Sequence, residues 1–417
     1  MTEQRVQFNH GSSYWFRLLV PFLITLSACV PAMVMRVQSG LHPDPIMGMI
    51  FYGIAIVAAA FILGWIGEAA ELDLSGGLAV GILALVAILP EYVVSIYFSF
   101  AAGSDPNMVE SATANLTGAN RLVQGFGWPI VALIAYFSVK AVKARRAGNK
   151  KSFGISLEQD SRADIGFLIF GSVVILLVPA TGAMHLLVGV LLVIIYCLYL
   201  WRISGSSRSE PELAGTAAYV GALPKTARRV FNLVMLVVAA SVIFISAHPF
   251  GDSLIAAGNT LHIDNYILVQ WLAPLASEAP EFTLAFLFAA RGKEAAALAI
   301  LISSKLNQWT LLAGSMPIAY VIGGGANAAL PVGARGSEEL WLTSAQTLLG
   351  VAILLTLRWG LGSSILMLGL FLVSVIPDQL WRTSLGVVHF VLALVYFWIN
   401  RKYIRQTLKA PFSKPKD

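Results

Sequence analysis

The sequence predicts an all-α, polytopic membrane protein of about twelve transmembrane helices, and three observations predict it. Hydrophobic residues make up 57% of the 417 positions and charged residues only 12%, about half the roughly 25% found in soluble domains. Apolar runs of around twenty residues recur along the chain, the length that crosses a hydrocarbon core about 30 Å thick. The alternating strand-and-turn pattern of a transmembrane β-barrel is missing.

The elements follow in chain order from where polar residues interrupt the apolar runs. The first span is expected at 14–35. It contains Leu26-Ser-Ala-Cys29, a string like a lipoprotein cleavage box. Arg17 sits close to the run and cleavage would leave an odd number of spans, so the helix is read as retained. The second span, 46–69, ends at Glu68 and Glu71, read as interfacial. The third, 76–101, holds Pro90-Glu91; the fourth, 108–139, carries Glu110 and Arg121, expected near the interface and within reach of water. Spans at 164–180 and 183–202 complete the first half. Gly205, Ser206, Ser207, Pro211, Gly215 and Gly221 then mark a linker over 203–228. The second half has spans at 229–249, 263–290 with Pro280-Glu281, 294–322, 340–357, 360–377 and 385–401. The longest exceed the bilayer, which predicts tilt, kinks or breaks.

The formal net charge of +6 is a topology signal rather than the mark of a nucleic-acid partner. Lys143, Arg145, Arg146, Lys150 and Lys151 crowd one loop, and Arg208, Lys225, Arg228 and Arg229 the next long one. The turn Arg291-Gly-Lys293 and the tail with Arg401, Lys402, Arg405, Lys409, Lys414 and Lys416 fall on the same side. Asp105-Pro-Asn107 and Gly323-Gly-Gly-Ala, on the other side, are poor in cations, so both termini are expected to be cytoplasmic. Short loops and no large regulatory domain favour a prokaryotic inner membrane.

Cys29 and Cys197 lie in apolar stretches without metal-type spacing, and the six histidines are scattered. Gly323-Gly-Gly-Ala lacks the Gly-Lys-Ser/Thr of a phosphate loop. No enzyme and no cofactor are therefore expected, and energy for any transport would come from an ion gradient. Trp271 and Trp309 are expected to pack or anchor rather than to stack on a ligand.

Self-comparison is the most informative step. Ile88-Leu-Pro-Glu-Tyr-Val-Val-Ser95 superposes on Glu278-Ala-Pro-Glu-Phe-Thr-Leu-Ala285, with Glu91 and Glu281 separated by 190 residues. The same offset lays Thr113-Ala-Asn-Leu-Thr117 on Ser303-Ser-Lys-Leu-Asn307. An odd number of spans between the starts of the two units gives them opposite orientation, the inverted repeat of secondary transporters. The organisation expected is an extra helix within 1–45, repeats over 46–203 and 229–377, a linker over 204–228, and an extra helix with a basic tail over 378–417. Each half sets a Pro before a Glu inside an apolar span. Proline removes a backbone hydrogen bond and frees carbonyls, and an ionised carboxylate in hydrocarbon needs a cation, a proton or water.

At these residues the chain resembles the sodium/calcium exchanger membrane region, of the cation/Ca2+ exchanger superfamily, whose two repeats read G-T-S-x-P-E and then G-S-N-I-x-N/D. The resemblance covers both repeats and implies a gradient-driven cation antiporter with alternating access around a midplane site. It places Glu91 and Glu281 at the centre of that site, as ligands to the transported metal ion. Ser277, Glu278, Asn115, Ser304 and Gln308 stand at or beside the remaining motif positions and are the further candidate cation ligands. Oxygen ligands suit hard cations such as Ca2+ and Na+, which are cargo, with H+ as another exchangeable ion; the partners implied are these cations and the lipid bilayer.

The departures are equally specific. Val86-Ala87-Ile88 stands in place of G-T-S, Glu278 takes a Ser position, Ala114 replaces Ser and Gly118 replaces Asn/Asp. Lys305 replaces Asn. A buried Lys must be paired or neutral, so two readings of Lys305 stand: it pairs with Glu278 or Glu281 and acts as a built-in cation coupling transport to protons, or it snorkels or locks two helices together. The alternatives to Ca2+ exchange are therefore a Na+/H+ or other cation/proton exchanger, and a degenerate relative that no longer transports.

Overall fold

The computed structural model describes residues 12–37, 44–73, 89–138, 154–204, 213–376 and 378–413. Helices dominate them. The expected residues Val86, Ala87 and Ile88, the cations Lys143 to Lys151, Arg208 and Pro211 of the linker, and Lys414 and Lys416 lie outside the described residues. Among those described, six helices are long and apolar enough to cross a membrane. Leu23, Ile24, Leu187, Val230, Val237, Phe244 and Trp398 are exposed on such helices, the arrangement expected when the solvent is hydrocarbon. The protein is a polytopic, all-α integral membrane protein.

The chain divides into two compact units, residues 1–94 with 204–263 and residues 95–203 with 264–417. In the first unit, α1 (Ser12–Val37) and α2 (Pro45–Ala70) pack with a helix of 37 residues, α10 (Lys225–Leu261). The last is about 55 Å long at 1.5 Å per residue, more than a bilayer's width. It runs on to Leu261 instead of stopping near 249 as expected, because Pro249 is accommodated inside the helix. Asp44 caps α2 through Ile46 and Met47 N–H at 3.0 and 3.3 Å. Gly53 lets the Phe250 ring sit where a Cβ would lie 3.0 Å from it. Phe22 meets Trp65 and Phe231 edge to face at 5.3 and 4.9 Å. A short helix, α9 (Thr216–Gly221), is pinned to α1: Tyr14 Oη donates to Tyr219 O at 2.7 Å and Arg17 donates to Tyr219 Oη at 3.0 Å. Arg228 clamps Asp73 at 2.7 and 2.9 Å while also donating to Gly221 O at 2.7 Å. Cys29 is buried on α1, which is an integral part of this packing.

Helix α3 (Leu89–Ala102) starts with the Pro-Glu pair and runs into the second unit. There α4 (Val109–Leu122), a π-helical turn over Val123–Gly127 and α5 (Trp128–Phe137) form one interrupted rod. The second half repeats it with α12 (Glu294–Asn307), a π-turn over Gln308–Leu312 and α13 (Ala313–Ile322). The three segments have 14, 5 and 10 residues in both rods. Between the rods in sequence lie α6 (Ser161–Ile175), α7 (Leu177–Thr181), α8 (Leu186–Ser204) and α11 (Asn265–Ala290). After them come α14 (Gly333–Leu354), α15 (Leu361–Val373), α16 (Gln379–Ile399) and α17 (Arg401–Lys409). Helix α14 starts at Gly333, not near 340, so Glu338 and Glu339 belong to the helix instead of its leading loop. Likewise α16 spans Gln379–Ile399, earlier than the expected 385–401.

Two three-residue antiparallel ladders, which the apolar pattern did not predict, close the second unit. The strand β1 (Gly154–Ser156) pairs with β4 (Arg358–Gly360), and β2 (Ala183–His185) with β3 (Ala329–Pro331). A shift of 175 residues carries Gly154 to Ala329 and Ala183 to Arg358, so exchanging the repeats turns one ladder into the other. Strands this short are entries to helices, and a period-2 pattern cannot be read from three residues.

Candidate functional site

The site begins with helix α11, which carries Pro274 and Pro280 in its interior. Each proline lacks an N–H and leaves the carbonyl four residues earlier without its helical partner, namely Gln270 O and Ala276 O. The Gln270 carbonyl presses on Gly118 of α4, where any Cβ would overlap it. Glycine there is what lets α4 lie against the broken stretch of α11.

Glu278 and Glu281 are three residues apart and so share one side of α11. Glu278 is 2% exposed. Gln308 Nε2 donates to Glu278 Oε1 at 2.7 Å, Ser304 Oγ lies 3.5 Å from Glu278 Oε2, and Gln308 Nε2 is 3.3 Å from Ser304 Oγ. A carboxylate of one helix and an amide and hydroxyl of the next are thus joined. Ser304 lies in the last turn of α12 and Gln308 opens the π-turn, four residues on and on the same face. A π-turn aims side chains that a straight helix would stagger, and such turns are frequent at functional sites. The structure therefore brings together Glu278, Ser304 and Gln308. Ser277 is turned to its own helix, donating to Ala273 O and Pro274 O at 3.3 Å. Glu281 is half-buried, and its Oε2 has no hydrogen-bond partner among the described residues.

Lys305 corrects an expectation. Its side chain is 0% exposed, but it pairs with neither Glu278 nor Glu281. Its Nζ donates to Asn120 O at 3.1 Å and lies 4.9 Å from the centre of the Trp309 ring. One helical turn separates Lys305 from Trp309, and α4 supplies the carbonyl, so backbone geometry satisfies the amine where a carboxylate was expected. Trp309 packs, as expected, and adds a cation–π contact.

The equal rods also correct the register. The 190-residue offset matches Asn115 with Lys305, but the π-turns start at Val123 and Gln308, 185 residues apart. That register pairs Asn120 with Lys305, the two residues that touch. The shorter connection before α12, Arg291 to Lys293 against Gly103 to Met108, absorbs three of the five residues, and the ends of α3 and α11, at Ala102 and Ala290, account for the other two. The sequence carried a signal for it: Gly118-Ala119-Asn120 fits G-S-N better than Thr113-Ala114-Asn115. Asn115 serves elsewhere, its Nδ2 donating to Ser95 Oγ at 2.5 Å and tying α4 to α3. Glu91, in the first turn of α3, is buried and precedes Ser95 by one helical turn, on the same face.

Arg121 departs from expectation too. Glu110 is exposed, but Arg121 is 0% exposed. Its guanidinium is ion-paired with Glu339 of α14, donates to Ser374 O and Oγ at 2.7 Å, and covers Trp271 at 4.9 Å. Arg382 of α16 lies 3.6 Å from Glu339 and 3.3 Å from Glu338. Sequence reasoning missed Glu339, Ser374 and Arg382 because all three fall near span ends, where charges usually reach water.

Among the described residues no three His, Cys, Asp or Glu side chains gather as a metal cluster. The candidate set is instead carboxylate, amide, hydroxyl and freed carbonyl, oxygen groups of the kind that suit hard cations.

Comparison with known proteins bears on this arrangement. The sodium/calcium exchanger protein family matches residues 45–205 and 231–377. The solved structure of an H+/Ca2+ exchanger, CAX, is 33% identical, with 96% of this chain and 98% of that one covered and a TM-score of 0.86. A Ca2+/H+ antiporter, YfkE, is 15% identical, with 90% and 100% covered and a TM-score of 0.61, a likeness of fold alone. No curated protein sequence matches the chain.

Proposed function

The chain belongs to the sodium/calcium exchanger protein family, and from that premise we propose that it is a gradient-driven antiporter exchanging Ca2+ for H+. The observation that carries the reading is the joined Glu278, Ser304 and Gln308 cluster beside Pro280-Glu281, on a helix whose carbonyls are freed by proline. Glu91 and Glu281 are the central ligands of the transported ion in this proposal. Glu278, Ser304, Gln308 and Ser277 supply further oxygens, and Asn115 holds α3 through Ser95. Carboxylates that lose Ca2+ in hydrocarbon must take another positive charge, so competition between Ca2+ and H+ for the same groups couples the two fluxes. The two repeats, oppositely inserted, would expose the site to each side in turn. The termini are assigned to the cytoplasm of a prokaryotic inner membrane on the cation-rich loops.

Preference for H+ as counter-ion rests on the H+/Ca2+ exchanger at 33% identity. A second reading, Na+/H+ or other cation/proton exchange, is favoured by Lys305, a protonatable amine held within the membrane on Asn120 O. Uptake into proteoliposomes under imposed Ca2+, Na+ and pH gradients separates the two. Calcium uptake driven by an opposing proton gradient, abolished by Glu281→Gln and by Glu91→Gln, is expected. Proton-coupled Na+ flux without Ca2+ flux would replace the first reading by the second. Full transport with unchanged pH dependence in Lys305→Ala would remove Lys305 from the coupling, and no flux of any cation would leave a protein that does not transport.

A further inference from the structure

Helix α17 offers a surface that the exchange of ions does not use. It follows the membrane-crossing helix α16 after a single residue, Asn400, so it cannot leave the membrane surface. Its side chains divide by helical period. Tyr403 and Thr407 face the protein: Thr407 is fully buried, its Oγ1 3.3 Å from Arg162, and Arg162 stacks on Tyr403 at 5.5 Å. Gly166 of α6 leaves room for Thr407 O and the Pro411 ring, which a Cβ would meet at 2.7 Å. Arg401, Arg405 and Lys409, four residues apart, line the opposite side with Lys402 beside them, and all four are exposed. No acidic residue occurs between Arg401 and Phe412, and none of the ion pairs among the described residues involves these four cations.

Apolar side chains flank this cationic row at both ends. Trp398 and Ile399 are exposed before it and Phe412 after it, at 69%, 57% and 73%. Arg401 stacks on Trp398 at 5.1 Å and Lys402 on Tyr403 at 4.9 Å, which holds the charges level with the rings. Amphipathic rings settle at the headgroup depth of a bilayer. A rigid row of four positive charges is thereby fixed where lipid phosphates lie. We propose that α17 is a docking surface for anionic phospholipid headgroups, which neutralise Arg401, Lys402, Arg405 and Lys409 and press α17 onto α6.

The full-length protein tests this in nanodiscs of phosphatidylcholine, with and without phosphatidylglycerol. Phosphatidylglycerol is expected to raise the unfolding temperature and to remain bound in native mass spectra, and rising salt should weaken both effects. The variant R401Q/K402Q/R405Q/K409Q should lose phosphatidylglycerol affinity by about tenfold or more, while R291Q/K293Q, which removes cations elsewhere, should keep it. All four side chains point outward, and equal unfolding temperatures of the two variants in phosphatidylcholine alone would verify that both fold. The proposal fails if the fourfold variant responds to phosphatidylglycerol like the native chain. It fails equally if inorganic phosphate reproduces the lipid effect, which would mark a site for a free anion. Neither outcome depends on which ions the protein carries.

Discussion

Lys305 and Arg121 are both sealed from solvent, yet they are stabilised differently, and the difference predicts their mutants. Lys305 rests on a backbone carbonyl and a ring face, partners that no side-chain substitution on α4 removes. Arg121 depends on Glu339. Removing one partner of a buried ion pair costs about 3–5 kcal/mol because the other charge is stranded, whereas replacing both with apolar groups is often neutral. Glu339→Leu should therefore lower the unfolding midpoint strongly in detergent, and Arg121→Met with Glu339→Leu should recover much of the loss. Equal losses in the single and double variants would show that the charges do not act as a pair. Asp73 gives a pH prediction. Hydrogen bonds from Arg228 hold its carboxyl below the usual carboxylate range. Its contribution is complete above the unfolded value of about 3.9 and fades as pH falls through the lower folded value. Asp73→Asn should thus lose about 1–3 kcal/mol at neutral pH, with the gap to the native protein closing only below about pH 4. A gap that closes between pH 5 and 7 would refute that assignment.

Among the elements, the decisive geometry lies where helices are broken or brought close. Pro274 frees Gln270 O, and Gly118 receives it. Gly118→Ala should force α4 away from α11, at a cost of about 1–3 kcal/mol or more for overpacking. Calorimetry should show a loss clearly greater than that for alanine at an open glycine such as Gly369, around which nothing lies within 4 Å. Gly189 and Gly314 form a second close approach, each placing its carbonyl 2.6 Å from a Cβ built on the other. The sequence made α11 legible as a proline-bent span carrying Glu281, because apolar length and Pro-Glu are local properties. The π-turns were not legible. One extra residue in a turn leaves the apolar run unchanged, and the register error arose before the rods: the Pro-Glu match set a 190-residue offset that the helix ends and the shorter connection reduce to 185, so Asn115, instead of Asn120, was paired with Lys305.

For the whole molecule, topology is the testable property. Lys225 and Lys409, at the start of α10 and the end of α17, are assigned to the cytoplasmic side. In a protein lacking Cys29 and Cys197, a single cysteine at either position should react with an impermeant thiol reagent in inside-out vesicles and resist it in right-side-out ones. Reaction of the two from opposite sides would break the even number of spans.

The amino-acid sequence by itself determined the solvent, the helical class and the repeated Pro-Glu pairs, since hydropathy and proline act within a turn or two of the residue that carries them. Tertiary structure alone decided which partner each buried polar group found. Lys305 met a carbonyl of α4 rather than a carboxylate, Arg121 met a glutamate more than two hundred residues away in sequence, and Gln308 and Ser304 met Glu278. Desolvation obliges every such group to be satisfied, but it names no partner, and several donors and acceptors of the chain could have served.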